Sequence, residues 1–264
     1  MRKAALILSA ALLGFIAQPA FAADATPVPA SMAPVPAGFS DAQRAEIESI
    51  IKDYLVNKHP EVMAEGLQGL QKREEQEADA KSKAEINSAK DRVLNDPNSP
   101  VGGNPKGNVT LVEFFDYQCG YCKMSEEGVE RLMKEDKNVK IIYKEFPILG
   151  AASGEASKAV LASVKQGKYQ AYHDALMSKK DHLSPEVIYG TAKDVGIDVD
   201  KLKKDMADAS VTDQINANLK LGQDIGVRGT PMFIINDNIY PGALQYDQLK
   251  QAVSDARNPS DKKS

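Results

Sequence analysis

Cys119 and Cys122 are the only cysteines in the chain, and they lie where an apolar run gives way to a helical one. Upstream, Val109–Phe115 is rich in β-branched and aromatic residues and predicts a buried strand. Downstream, residues 119–135 predict a helix. A C-x-x-C pair at that junction offers its first sulfur the unpaired N–H groups and positive end of the helix. This favours thiolate over thiol and lowers the proton affinity of Cys119. Such a thiolate attacks a disulfide to give a mixed disulfide, which Cys122, one turn further in, resolves. Both steps need the sulfurs close together with only the first exposed. Two other uses of the pair stand beside this one. A structural disulfide closing so short a loop would remove little chain entropy. A metal would want more ligands, and His59, His173 and His182 are distant in sequence.

Lys and Arg number 33 against 37 Asp and Glu, a net charge of −4. A mildly acidic chain without a basic block argues against nucleic acid as a partner. Arg2 and Lys3 precede an apolar run over residues 4–16, followed by Ala20, Phe21 and Ala22. This pattern predicts a signal peptide over residues 1–22, cut near Ala22, because the run is short for a membrane span. Export would place the thiols in an oxidising compartment.

Residues 23–39 are rich in Pro and Ala and predict a semi-extended linker. Residues 40–95 predict a helical arm. Ser40 and Gln43 have capping-box spacing, and Ile47, Ile50, Ile51, Tyr54 and Leu55 form one apolar stripe. His59-Pro60 breaks the helix and starts another, in which Met63, Leu67 and Leu70 continue the seam. Residues 71–92 mix Lys, Arg, Glu and Asp and predict a single solvated helix. An apolar stripe on a thin arm needs a cover. A second copy of the chain, joined through residues 40–70, is the favoured one over folding back on its own domain.

The turn-rich residues 96–107 mark the start of the main domain, which runs over residues 96–258; residues 259–264 predict a disordered tail. Strands are predicted at Val109–Phe115, 139–146 and Met232–Ile235, with a short one at 239–240. A helical stretch over 153–225, with breaks near Gly167, Ser184-Pro185 and Gly196, separates the second strand from the third. A last helix is predicted at 246–256. Thr230-Pro231 opens the third strand, where a missing N–H is tolerated. Spacing alone predicts an ordinary trans peptide there. Glu113, read alone, is an edge or surface carboxylate.

The runs EFFDYQCGYC, KEFPILG and GVRGTPMFI, in this order and with the helical insert between the last two, resemble the DsbA-like branch of the thioredoxin superfamily. The arm makes the chain most similar to the oligomeric ScsC-like members. The resemblance implies an α/β thioredoxin fold with a helical insertion, preceded by a helical oligomerisation arm. It implies Cys119 as nucleophile, Cys122 as resolving thiol, Pro231 as a cis-proline and Glu113 as a buried acid that exchanges a proton with Cys122. Thr230, Gly120 and Tyr121 would border the substrate. The redox-active disulfide between Cys119 and Cys122 would replace any cofactor, and no metal is expected.

Gly120-Tyr121 departs from the Pro-His of the strongly oxidising member, and Thr230 resembles the isomerases. Both lean toward shuffling or reduction. The reading is a periplasmic thiol–disulfide oxidoreductase, favoured as an oligomeric isomerase or reductase. It would act on misfolded or reduced exported proteins and exchange electrons with a membrane redox partner. A DsbA-like oxidase and a copper-binding dithiol module are the alternatives. Tyr117, Tyr121 and Met124 either line a peptide groove or pack against the insert. His173 and His182 are read as packing or surface groups.

Overall fold

The computed structural model describes residues 38–258 apart from Asp181. The signal peptide, most of the linker and the tail expected from the sequence lie outside them. The chain divides into two compact units between Glu65 and Gly66.

In the first unit, α1 (Asp41–Lys52) starts on the expected capping box: Ser40 Oγ accepts from the Gln43 N–H, and the Gln43 side chain accepts from the Ser40 N–H. A π-helical turn, Asp53–Lys58, follows and ends at His59. That wider turn rotates the stripe relative to a regular helix. Helix α2 (Pro60–Ser88) begins at the predicted proline. No residue of α1 is buried, and Ile47, Ile50, Ile51, Tyr54 and Met63 are exposed.

In the second unit α2 runs to Ser88, and α3 (Lys90–Leu94), β1 (Val101–Gly103), β2 (Val109–Phe115), α4 (Gly120–Glu135) and β3 (Val139–Glu145) follow. The insert holds α5 (Ala151–Ala162), α6 (Tyr169–Met177), α7 (Pro185–Asp194), α8 (Val199–Met206) and α9 (Ala209–Asp224). Then come β4 (Met232–Ile235), β5 (Asn238–Pro241) and α10 (Tyr246–Arg257). The sheet order is β1-β3-β2-β4-β5; β2 runs parallel to β3 and antiparallel to β4. No helix among the described residues is long and apolar enough to cross a membrane.

As the central strand, β2 is covered on both faces, which explains its nearly continuous apolar sequence. Leu111 and Phe115 face one core with Ile141, Phe233, Val129 and Leu249. Val112 and Phe114 face the other with Ile142, Ile234, Leu221 and Ile225.

The predicted solvated helix needs correction at its far end. Ile86, Ala89 and Val93 are buried in the second core, in one cluster with Val112, Phe114, Ile142 and Ile234 of the sheet. The chain segment behind them is clamped by an ion pair between the buried Lys144 and the half-buried Asp96. Lys144 Nζ lies 2.8 Å from Asp96 Oδ2 and donates to the Arg92 carbonyl at 2.8 Å. Burial opposes the charge on Asp96, but Lys144 and Gln214 outweigh it and hold the carboxyl at about 2. The main fold therefore begins within α2, before residue 96.

Candidate active site

Cys119 is the N-cap of α4, with extended backbone, and both cysteines carry free thiols. The Cys122 N–H donates to Cys119 Sγ at 3.3 Å, and that sulfur lies 3.2 Å from the Thr230 carbonyl oxygen. Hydrogen bonding from the Cys122 thiol is the main force lowering the Cys119 thiol to about 6. Burial opposes it, while Thr230 and the N–H groups of Tyr121 and Cys122 assist. Cys122 moves the other way. Burial first, then its hydrogen bond to Cys119 and the nearby Glu113 charge, push its thiol far above the ordinary range. The expectation is that only the first sulfur is exposed; in the structure both cysteines are buried, Cys119 with 5% of its residue surface exposed and Cys122 with none.

The Thr230–Pro231 peptide is cis, contrary to the trans form expected from spacing and in line with the resemblance. It leads directly into β4. Beside it lies a cleft of about 620 Å³. Arg228, Thr230 and Met232 line one part of it, and Asp79, Lys81 and Glu85 of α2 another. Gly120 is exposed at the start of α4, with Tyr121 and Met124 exposed beside it. Tyr117 takes the packing alternative and is fully buried.

Glu113 sits mid-strand in β2, between Tyr143 of β3 and Phe233 of β4 in the register. It is not an edge or surface carboxylate: it is wholly buried, and neither oxygen has a hydrogen-bond partner among the described residues. Burial, followed by the charges of Glu126 and Cys119, raises it well above the carboxylate range.

Several polar residues near the dithiol were not expected. The Asp116 carboxylate accepts from the N–H groups of Gln118, Ile148 and Leu149 and from Ser153 Oγ, at 2.7–2.9 Å. It ties the segment before Cys119 to the start of the insert. Glu126, four residues after Cys122 and so on its face of α4, is buried, and neither oxygen has a hydrogen-bond partner among the described residues, though Oε2 lies 3.4 Å from His173 Nε2. That spacing was a usable signal. His173, read as packing or surface, is wholly buried in a polar network with Tyr117, Glu126 and Glu145. Nothing local in the sequence marked it, because the insert alone brings α6 to this place. Donor atoms of Glu126, His173 and Asp174 come within 4.8 Å of one another, a grouping that a divalent ion could use.

The chain matches the DSBA-like thioredoxin domain over residues 110–254, more than half its length. The chain belongs to the DSBA-like thioredoxin family. Residues 43–77 also match the copper resistance protein ScsC N-terminal domain. A thioredoxin-like oxidoreductase from Silicibacter pomeroyi DSS-3 is 44% identical, covering 63% of this chain and 96% of that one, with a TM-score of 0.62. A linker-deletion variant of Proteus mirabilis ScsC is 31% identical over 85% of this chain and 100% of that one, with a TM-score of 0.64. A periplasmic thioredoxin-like protein from Salmonella enterica serovar Typhimurium is 30% identical, covering 64% of this chain and 96% of that one, with a TM-score of 0.59. Among curated relatives, the chain spans about a quarter of the length of the Na(+)/H(+) antiporters of Salinispora that it matches at 27% identity.

Proposed function

We propose that this chain is an exported thiol–disulfide oxidoreductase of the DsbA/ScsC type that acts on proteins. The observation carrying this reading is the asymmetry of the dithiol. Cys119 Sγ is capped by a helix N-terminus and held near 6, while Cys122 behind it stays protonated. The Cys119 thiolate attacks a client disulfide, forming the Cys119–client bond and releasing the other client sulfur as thiolate. Cys122 then attacks Cys119 and its proton passes to the Glu113 carboxylate. The Cys119–Cys122 disulfide forms, and the client sulfur leaves as thiolate. Thr230 and Pro231 border the cleft where the client strand lies, and Gly120 and Tyr121 are exposed at the start of α4. No other cofactor enters the scheme.

The experiment is a titration of the reduced protein by ultraviolet thiolate absorbance. A single midpoint near 6 is expected, because Cys122 does not ionise in that range. A midpoint at roughly 8.5, the ordinary thiol value, would remove the argument. The sign for stability follows: a thiol depressed on folding stabilises the reduced fold above roughly pH 8.5, and that contribution is lost as pH falls through about 6.

The finer reading is an oligomeric periplasmic isomerase or reductase, joined through residues 40–70 and re-oxidised or re-reduced by a membrane partner. The exposed stripe, including Leu67 and Leu70 at 60% and 50% exposure, supports assembly. Burying each such side chain contributes about 1.5–3 kcal/mol before association costs. Linked sites hold a client near several thiolates at roughly millimolar effective concentration. Deleting residues 23–70 spares Ile86, Ala89 and Val93, so the truncated protein should fold as a monomer. It should retain dithiol exchange and lose most refolding activity on a scrambled client. Light scattering and refolding assays on both proteins check this. A full-length monomer, or an equally active truncated one, would sink the link between assembly and isomerisation.

A further inference from the structure

Between α4 and α6 lies a buried polar cluster that the exchange scheme leaves unused. Glu126 comes from α4, one turn beyond Cys122, and His173 and Asp174 come from α6 of the insert. His173 is wholly buried and Glu126 nearly so. Yet neither Glu126 oxygen nor His173 Nε2 has a hydrogen-bond partner among the described residues. Buried polar atoms without partners are costly, and three of them at one place call for a ligand. Asp174 completes the group: donor atoms of the three residues all lie within 4.8 Å of one another. Neither Glu126 nor Asp174 has a lysine or arginine partner among the described residues; Asp174 accepts from Gln170 Nε2 at 2.6 Å.

The spacing fits a metal ion better than a direct contact. Glu126 Oε2 lies 3.4 Å from His173 Nε2. A charge-assisted hydrogen bond would draw them to about 2.7–2.9 Å. A tetrahedral ion with bonds of about 2.1 Å sets its ligand atoms about 3.4 Å apart. The gap to Asp174 closes by rotation of a half-buried side chain. The far side of the ring is already held. The hydroxyls of Tyr117 and Tyr169 donate to Glu145 Oε1 at 3.1 and 3.0 Å. Tyr117 therefore has no proton left for His173 Nδ1, 2.9 Å from its oxygen, and Nδ1 is the donor in that contact. In the neutral ring Nε2 is then the bare nitrogen, and it faces Glu126. Metal-ligating histidines are oriented in this manner, the other ring nitrogen donating to a fixed partner.

We propose that Glu126, His173 and Asp174 bind one divalent transition-metal ion of the zinc type, which pins α6 of the insert to α4, the helix that carries the dithiol. The donor set selects the class. One imidazole nitrogen with two carboxylates suits zinc, whereas calcium and magnesium take oxygen ligands and Cu(I) prefers sulfur. Three protein ligands leave a fourth position for water on the half-buried Asp174 side. The separation of His173 from other ligands in sequence counts against a metal, and α6 removes that separation in space. The ion is structural, and the proposal stands whether or not the dithiol exchanges with clients. An ion that binds only the folded chain, supplied at a hundred times its dissociation constant, shifts the folding equilibrium about a hundredfold.

The test uses the untagged full chain, stripped with a chelator and held in the oxidised form so that neither cysteine can act as a ligand. Calorimetric titration with zinc should give one ion per chain. Excess zinc should raise the unfolding midpoint by several degrees, and millimolar calcium or magnesium should not displace it. Asp174→Asn, at a half-buried position, should weaken zinc about tenfold or more, and His173→Gln should abolish binding. Nitrogen-15 spectra of the unmutated protein give a readout that needs no variant to fold: zinc should move the ring signals of the one histidine that is buried. No zinc uptake by the unmutated protein would overturn the proposal and leave Glu126 and His173 a direct pair. Uptake unchanged in either variant, or zinc that leaves the buried ring unshifted, would put the ion elsewhere, as at His59 or His182, and overturn it as well.

Discussion

Cys122→Ser should accumulate stable mixed disulfides through Cys119, while the unmutated protein shows almost none. Attack survives because it depends on the Cys119 thiolate, which is largely ionised at neutral pH with its thiol near 6. The serine keeps the backbone N–H that donates to Cys119 Sγ, and its hydroxyl can replace the Cys122 thiol as donor to that sulfur. Resolution does not survive, because serine cannot form a disulfide. In the unmutated protein the resolving sulfur is one helical turn away. Well-oriented intramolecular groups reach effective molarities of about 10⁵ M or more. Millimolar free thiol outside cannot substitute, so release should slow by several orders of magnitude. Acid quenching, non-reducing gels and mass mapping of the adducts measure this. Adducts forming equally well when both cysteines are serine would show that another group is the nucleophile.

The dithiol was legible because its context was: a strand, two thiols and a helix start are contiguous in sequence. Glu113 carried a signal that spacing alone undervalued. In a strand whose both faces read Val, Leu and Phe, a central carboxylate has no solvent side to occupy, and β2 buries it completely. Strand β1 was not legible. Val101-Gly102-Gly103 has the composition of a turn and becomes a strand only by pairing with β3. Ile86, Ala89 and Val93 lie three and four residues apart, a helical stripe that the surrounding charges obscured. The π-helical turn at Asp53–Lys58 left no trace in composition. His173 belongs to the site only through tertiary packing of the insert, 51 residues beyond Cys122 in the numbering. Local patterns thus located the groups that meet along the chain. They could not locate groups that α6 delivers from elsewhere.

Glu113→Gln should slow resolution of the mixed disulfide by about 10²-fold or more while leaving attack by Cys119 nearly unchanged. Positioned acid–base groups contribute roughly 10²–10⁴-fold to rate. The need for one is acute here, because burial holds the Cys122 thiol far above the range in which it could ionise unaided. Glutamine matches the shape of Glu113 but cannot accept a proton. Removing the Glu113 charge does ease ionisation of Cys122 a little, since that charge contributes to its elevation. Burial and the Cys119 hydrogen bond rank ahead of it, so the loss of the base dominates. The fold should not suffer. Both Glu113 oxygens already lack hydrogen-bond partners among the described residues, so a neutral amide adds no larger penalty than the buried carboxyl. The pH dependence separates the roles. The unmutated protein should resolve faster as Glu113 ionises and then level off, whereas the variant should keep rising with pH as solvent base takes over. Single-turnover quench across pH, with attack and resolution timed separately, gives both readouts. Unchanged resolution in the Glu113→Gln protein would reduce Glu113 to a structural residue and leave Cys122 in need of another base.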